Sequence, residues 1–394
     1  MTDRKLRLGV AGLGRAFVLM LPALTRHPNV QLVAAADPRA EARMRFADDF
    51  AARTYESIEE LCADADVEAV YVATPHQFHA EHVGVAVAHR RHVLVEKPMA
   101  LTLEDCRAMT DAVNRAGVAM VIGHSHSFDA PISRTRELIA SGAYGRLRMI
   151  TAMNFTDFLY RPRRPEELRN DLGGGVVFNQ APHHVDVVRL LGGGRVRSVR
   201  AMTGAWDRER PVDGAYSALL TFENGAFASI AYSGYAHFDS DEFMEWIAES
   251  GYAKDPGQYG MARRRLRQTQ SMEEEVVLKN RRNYGGDDAS PAPSGPRRHQ
   301  QFGVLIASCE RGDLRPMPNG VAIYDDLARK FEPLPEPGVP RREVIDELYD
   351  AIVHGGAGLH TGEWGMATME VCLAIVQSAR EQREVLLRHQ VSVP

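Results

Sequence analysis

Cysteine is scarce in this chain. Its 394 residues hold four, Cys62, Cys106, Cys309 and Cys372, far apart and without a C-x-x-C pair. A disulfide framework or a cysteine zinc site is therefore not expected, and a reducing compartment is. Positive charge is not in excess either: the formal net charge of -5 gives no global attraction to nucleic acid or to an anionic membrane. No uncharged run approaches the length that spans a bilayer. No signal peptide is expected, because the charged start MTDRKLR runs straight into the strand-like LRLGVAG. No internal repeat is visible. These absences predict a soluble, cytoplasmic protein with neither nucleic acid nor membrane as partner. What is present is ordinary globular composition, 44% hydrophobic and 25% charged, at a length that favours two domains.

The first third alternates short apolar runs with helical stretches. LRLGVAG, VQLVAAAD, EAVYVATP, HVLVEKP and AMVIGHS read as strands, joined by helices of ordinary length. That pattern predicts βαβ units and a parallel sheet covered on both faces. Thr102, with Asp105 in the first turn, reads as a helix N-cap. After about residue 125 the strands lengthen. RLRMITAMNF, VRSVRAMTGAW, AYSALLTFENGAFASIAYSG and EFMEWIAESG predict a largely antiparallel sheet, and the Asn-Gly inside FENGAF predicts a hairpin. The fold class is thus α/β, with an N-terminal Rossmann-type domain over 1–125. A second α/β domain with an open, mainly antiparallel sheet covers 126–394. Residues 255–300 read as a polar surface insertion, with a flexible loop in GGDDASPAPSGPRR. Its basic block lacks the aromatic interleaving of a nucleic-acid site and reads as a solvated face. The last 50 residues predict two amphipathic helices.

The stretch VAGLGRAF carries the first chemistry. Gly12 and Gly14 follow a buried strand and open a helix. Gly12 permits the tight turn, and Gly14 lets the backbone approach a pyrophosphate resting on the free N–H groups around Arg15 and Ala16. Asp37, 20 residues beyond Phe17, has the spacing of an acid that accepts from the adenosine ribose. The fingerprint's third small residue is replaced by Phe17, which changes helix–strand packing rather than phosphate contact. Asp37 favours NAD by repelling a 2′-phosphate. Arg39 offsets part of that repulsion and keeps NADP open.

At LVEKPMALTLEDC the sequence resembles the Gfo/Idh/MocA family (glucose–fructose oxidoreductase, inositol dehydrogenase, rhizopine catabolism). VATPHQFHAEH and GGGVVFNQAPHHVD resemble two further motifs of that family, in the same order. The resemblance implies an NAD(P)-dependent dehydrogenase with its active site between two domains, and a homo-oligomer, dimer or tetramer, built through the second domain's sheet. It places Thr74, Pro75, His79, Glu96 and Lys97 around the cofactor, with Lys97 and His183 as the catalytic pair. The family's Asp, His, Asp pattern is here Asn179, His183 and Asp186, spaced to share one helical face. Asn179 is the departure: it can bond a substrate hydroxyl but cannot take a proton, which leaves acid–base work to Lys97 and His183. His184, beside His183, points elsewhere and ranks second.

Two stretches concern the substrate. GHSHSFD brings His124 and His126 towards the cleft edge. FTDFLYRPRRPEEL sets Tyr160, Arg161, Arg163 and Arg164 in a proline-rich loop, where guanidinium forks suit carboxylates. With GLGRAF and SCERGDLR, these stretches resemble the branch of phthalate 4,5-cis-dihydrodiol dehydrogenase-like proteins. That branch implies hydride transfer from an aromatic cis-dihydrodiol carboxylate to NAD(P)⁺. A sugar or inositol dehydrogenase is the first alternative, a non-catalytic NAD(P)-binding sensor the second, and NAD-dependent glycoside cleavage the third. No metal is expected, because the histidine-rich segments lack a closed ligand set.

Overall fold

A computed structural model describes residues 4–287 and 295–394. They form two compact units. The first takes residues 4–124, 277–287 and 338–369, and the second takes 125–276, 295–337 and 370–394.

The first unit holds β1 (Leu6–Ala11), α1 (Arg15–Arg26), β2 (Val30–Ala36), α2 (Ala40–Phe50), β3 (Arg53–Tyr55) and α3 (Ile58–Ala63). It continues with β4 (Ala69–Val72), α4 (His79–Ala88), β5 (His92–Val95), α5 (Leu103–Ala116) and β6 (Met120–Ile122). The six strands pair in parallel in the order β3-β2-β1-β4-β5-β6. β4 is buried along its whole length, as an apolar run covered by helices on both faces must be. The Thr102 hydroxyl caps α5 by accepting from Asp105 N–H at 3.0 Å. Strand order reverses between β1 and β4, so a crevice opens at their carboxyl ends, where doubly wound sheets bind their ligands.

The second unit starts with α6 (Ala130–Ala140), β7 (Leu147–Phe155), α7 (Gly175–Asn179) and α8 (Ala181–Gly192). Then come β8 (Val196–Gly204), β9 (Ala215–Phe222), β10 (Phe227–Ser233), α9 (Met261–Gln268), α10 (Met272–Asn280), β11 (Val304–Cys309), β12 (Gly312–Met317), β13 (Gly320–Asp325) and β14 (Arg329–Pro333). With β15 (Val385–Leu386) they form a nine-stranded sheet, β14-β13-β12-β11-β7-β10-β9-β8-β15. Only the β7–β10 pair is parallel. β9 and β10 are the hairpin expected at FENGAF, and Gly225 takes φ +86° at its turn. One face carries α8, every residue of which is buried. The other face is open: Met202, Leu219, Phe227 and Leu386 are all exposed. EFMEWIAESG is not the expected strand. A 3-10 turn covers Ser240–Met244, Glu245 and Trp246 both adopt left-handed backbone, and a single bridge joins Ile247 to Ala253.

Neither unit is one continuous stretch: the chain passes from the first unit to the second after His124 and returns to the first at 277 and at 338. Residues 338–369 rejoin the first unit through α11 (Arg342–Tyr349) and the start of α12 (Gly362–Glu381). α11 buries Val344, Ile345 and Leu348, and the Tyr349 hydroxyl donates to Arg4 O at 2.7 Å. Ile122 N–H donates to His360 O at 2.8 Å beyond the sheet edge. Gly365 has no room for a Cβ, which would meet Ile122 at 2.8 Å.

Nor is 255–300 simply a solvated insertion. Glu275 on α10 is buried and accepts from both Arg210 Nη atoms at 2.8 and 2.9 Å, and from Arg163 N–H at 2.6 Å. Arg263 on α9 lies over the Tyr160 ring at 3.9 Å and donates to Ala236 O. Residues 277–287 fold onto the first unit, led by Tyr284. The centre of the expected flexible loop, 288–294, lies outside the described residues. No helix among the described residues is long and apolar enough to cross a membrane.

Candidate active site

In the first unit the chemistry gathers at the carboxyl ends of β1, β2, β4 and β5. Gly12 has φ +92°, and a Cβ there would lie 2.9 Å from the Ala73 carbonyl at the end of β4. Only glycine meets both demands. At Gly14 a Cβ would find nothing within 4 Å, so the backbone faces open space at the first turn of α1. Arg15 and Ala16 begin that helix, whose free N–H groups suit an anion. Burial, Arg282 and Arg341 together pull the Arg15 pKa down to about 10. Two further guanidiniums thus stand near Arg15, a setting that suits a pyrophosphate. A dinucleotide therefore fits these residues: a glycine turn without Cβ room, an open approach at Gly14 and crowded guanidinium charge.

Asp37, at the end of β2, is buried and fully engaged. Its Oδ2 accepts Leu13 N–H at 2.8 Å and Arg39 Nη2 at 3.1 Å, while Oδ1 accepts Arg39 N at 2.9 Å and Nε at 3.0 Å. The carboxylate thus fixes the glycine loop and holds Arg39 in place. Arg39 Nη2 reaches back to Leu13 O at 2.9 Å. The same carbonyl accepts Tyr284 N–H at 3.2 Å. Phe17 is fully buried and meets the Phe46 and Tyr284 rings at centroid distances of 5.9 and 5.1 Å. An aromatic cluster thus occupies the place of the fingerprint's third small residue.

The other cofactor candidates form a braced rim. Thr74 Oγ1 lies 2.8 Å from His82 Nδ1, and Pro75 starts a short turn. His79 is buried and bridges two loops, with one ring nitrogen 2.9 Å from Thr74 O and the other 2.9 Å from Pro98 O. Its place is behind the rim, where it ties the loop after β4 to the loop after β5. Glu96 is buried and accepts the Tyr71 hydroxyl. Burial raises its pKa, against the lowering effects of Tyr71, Arg341 and Lys97. Lys97 follows it, half-buried.

In the second unit, His183 and Asp186 lie on α8 and are buried. Asn179 does not share their helix. α7 ends at Asn179, and Gln180, at φ -120° and ψ -37°, breaks the path before α8. Pro182 has no N–H to carry a continuous ladder across that point. The Asn179 amide donates to Gly175 O at 2.8 Å and Gly173 O at 3.3 Å, closing its own turn. The expected single face of three residues is corrected to a pair. Asp186 accepts the Ser127 hydroxyl, so the residues after β6 are tied to α8.

His126 lies deeper than a cleft edge. It is 1% exposed, its Nδ1 lies 2.7 Å from Asp129 Oδ2, and its Nε2 lies 3.5 Å from Glu249 Oε1. Burial lowers its pKa, but Asp129 and Glu249 outweigh that and lift it to about 9. The His126 and His183 rings meet at 4.9 Å, and each lies 5.1 Å from the Phe302 ring. His124 is buried as well. His184 faces the Tyr216 hydroxyl at 3.0 Å, and burial drives its pKa down to about 3. An apolar cavity beside His126 and His184 is lined by Met244, Phe302, Leu305 and Met317.

The arginine loop divides. Arg163 is buried, donates to Phe158 O and lies over the Phe158 ring at 3.5 Å, so its fork is committed to the fold rather than to a substrate. Arg164 opens a 3-10 turn, its N–H held by Glu167 at 2.8 Å. Arg161 pairs with Asp157 at 2.8 Å and stays partly exposed.

Sequence reading missed Glu249, Asp129, Phe302 and Tyr284, which have no motif spacing and meet their partners only through the fold. The ligand atoms of His126, His183 and Glu249 all lie within 4.8 Å of one another.

Residues 6–124 match the oxidoreductase family with an NAD-binding Rossmann fold, and residues 132–254 match the GFO/IDH/MocA C-terminal domain. A 1-carboxy-3-chloro-3,4-dihydroxycyclohexa-1,5-diene dehydrogenase from Comamonas testosteroni is 49% identical over 379 residues, 96% of each chain. A solved structure from Bordetella bronchiseptica RB50 has a TM-score of 0.91 at 42% identity, covering 97% of this chain and 100% of that one. The WlbA dehydrogenase from Bordetella pertussis, solved with NADH and UDP-GlcNAcA, shares the fold at TM-score 0.70 and 22% identity, covering 98% of this chain and 99% of that one. With matched domains at both ends and a near full-length relative, the chain belongs to the Gfo/Idh/MocA family of NAD(P)-dependent oxidoreductases.

Proposed function

We propose that this dehydrogenase oxidises a ring cis-dihydrodiol that bears a carboxylate, giving a product that tautomerises to a catechol. The observation that carries the reading is the 49% identity, over 96% of both chains, to a dehydrogenase whose name describes a carboxylated dihydroxycyclohexadiene.

When bound, the nicotinamide supplies the hydride acceptor. Gly12, Gly14, Arg15 and Ala16 hold the pyrophosphate, with Thr74, Pro75 and Glu96 on the rim. Lys97 and His183 are the acid–base residues: the carbinol hydroxyl gives up its proton to one of them as the hydride leaves its carbon. Asp186 positions α8 through Ser127. Arg161 is the member of the arginine loop that remains for a substrate carboxylate, with Arg164 beside it. Asn179 shapes the turn before His183.

NAD is the proposed cofactor, with NADP accepted, because Arg39 neutralises the carboxylate that would repel a 2′-phosphate. The open sheet face, with Met202, Leu219, Phe227 and Leu386 exposed, supports a dimer or tetramer built from second copies of the chain. Light scattering tests that assembly.

The test of function is NADH formation with a panel of carboxylated cis-dihydrodiols against sugars and inositols. Turnover confined to the dihydrodiols is expected; turnover confined to the polyols overturns the reading. Lys97→Ala should abolish turnover with NAD binding retained, which separates an enzyme from a cofactor-binding sensor.

A further inference from the structure

The geometry points to a divalent transition-metal site formed by His126, His183 and Glu249. Two imidazoles and one carboxylate offer ligand atoms that all lie within 4.8 Å of one another, both histidines buried and Glu249 partly exposed at the edge of the second unit. His126 Nε2 and Glu249 Oε1 are 3.5 Å apart. Two ligands at about 2.0–2.1 Å from a tetrahedral zinc ion lie roughly 3.4 Å apart, so this edge needs almost no adjustment.

The surroundings are those of a ligand set. Metal-binding imidazoles usually pass their other ring nitrogen to a carboxylate, which fixes the ring and raises its basicity. His126 does this with Asp129 at 2.7 Å. Two carboxylates, Asp129 and Glu249, therefore converge on one buried ring, and a dication between the ligands would balance them. Phe302 packs at 5.1 Å against both histidines and keeps that side dry. Glu249 arrives on a turn fixed by Ala248 N–H to Tyr252 O at 2.9 Å and Gly251 N–H to Ala248 O at 2.8 Å. Just before it, Glu245 and Trp246 hold φ of 58° and 57°. Such backbone persists in residues other than glycine only where the surroundings enforce it.

Two histidines and one carboxylate leave coordination positions open, the pattern of catalytic zinc and of mononuclear iron(II) sites. Water or an oxygen of the substrate would complete the shell. The ion would act by charge alone: it neither gains nor loses electrons, the hydride still passes to the nicotinamide, and Lys97 remains to take the proton. With the ion bound, His183 serves as a ligand. The inference does not rest on the substrate proposed above, because metal uptake is read without substrate.

The experiment is metal analysis of the full-length protein, as purified and after EDTA treatment followed by equilibration with Zn²⁺, Co²⁺ or Mn²⁺. One ion per chain is expected, with Glu249→Gln and His126→Asn each weakening affinity by about 100-fold, and Asp129→Asn by about 10- to 100-fold. Matching thermal melts in EDTA check that the variants fold. Anomalous scattering from crystals of the unmodified protein needs no variant: a peak among the three side chains supports the site, and a peak elsewhere overturns it. Uptake well below one ion per chain with all three metals overturns it, as do variants that bind as tightly as the parent. If metal binds and dihydrodiols are not oxidised, the site stands and the substrate reading fails.

Discussion

Phe17 and Tyr284 meet edge to face, their ring centroids 5.1 Å apart and their planes at 81°. The contact ties the first helix of the cofactor unit to a segment far along the chain, and Tyr284 also reaches Leu13 O and, through its hydroxyl, Asp49 at 2.6 Å. Phe17→Ala should cost about 3–5 kcal/mol of stability, as other buried aromatic truncations do. Tyr284→Phe keeps the ring and loses one hydrogen bond, so about 1 kcal/mol is expected. The double variant should reveal a coupling of about 0.5–1.5 kcal/mol in urea melts. Phe17→Gly should raise NAD affinity by less than about tenfold, or 1.4 kcal/mol, in titration calorimetry; a larger gain would mean that Phe17 obstructs the cofactor.

Arg39 should govern the choice between cofactors. It is held by both oxygens of Asp37. Arg39→Ala would leave that carboxylate unneutralised beside any 2′-phosphate. The ratio of kcat/KM for NAD over NADP should rise by about tenfold or more, equal to 1.4 kcal/mol of discrimination. An unchanged ratio would place the 2′ position away from this pair.

Glu275 is the keystone of a buried charge cluster. Arg210 donates to both its oxygens, and Arg163 N–H donates to one. Glu275→Ala strands the Arg210 guanidinium in the interior and should cost about 3–5 kcal/mol. Urea melts followed by circular dichroism would measure it; a loss under about 0.5 kcal/mol, the size of a surface change, would refute the cluster's role.

Glu96 should make stability depend on pH in an unusual direction for a carboxylate. Burial raises its pKa above the ordinary 4.5. A group whose pKa is raised on folding contributes stability below its unfolded value, and that contribution is lost as pH climbs through the folded one. At neutral pH the buried charge is therefore a burden. Glu96→Gln keeps an acceptor for Tyr71 and removes the charge. It should raise Tm by about 2–4 °C at pH 8, the size of a change near 1 kcal/mol, with the gain vanishing by about pH 4. A gain that grows on acidification would reverse the assignment.

Much of the fold was legible because its signals are local. The glycine turn, the short apolar strands, Thr102 and Asn224-Gly225 each declare their structure within a few residues. In the candidate site the glycine turn at Gly12 and Gly14 was legible in its geometry, because its signal is local. The site was illegible where the fold joins distant residues. Glu249 reaches His126 only through a turn that read as a strand, because apolar residues in EFMEWIAESG mimic alternation while Glu245 and Trp246 take left-handed backbone. Asn179 counted as one face with His183 because spacing presumes a continuous helix, and the break at Gln180 leaves no strong mark. Arg163 resembled a ligand fork because sequence does not reveal which guanidiniums are buried.

The return of residues 277–287 and 338–369 to the first unit bears on how the protein is made. As the chain leaves the ribosome, its first 124 residues emerge with Phe17 and the edge of β6 uncovered. Tyr284 arrives much later, and His360 later still. The nucleotide unit can close only after residues 338–369 have emerged, so its apolar surface stays uncovered while the strands of the second unit are being made.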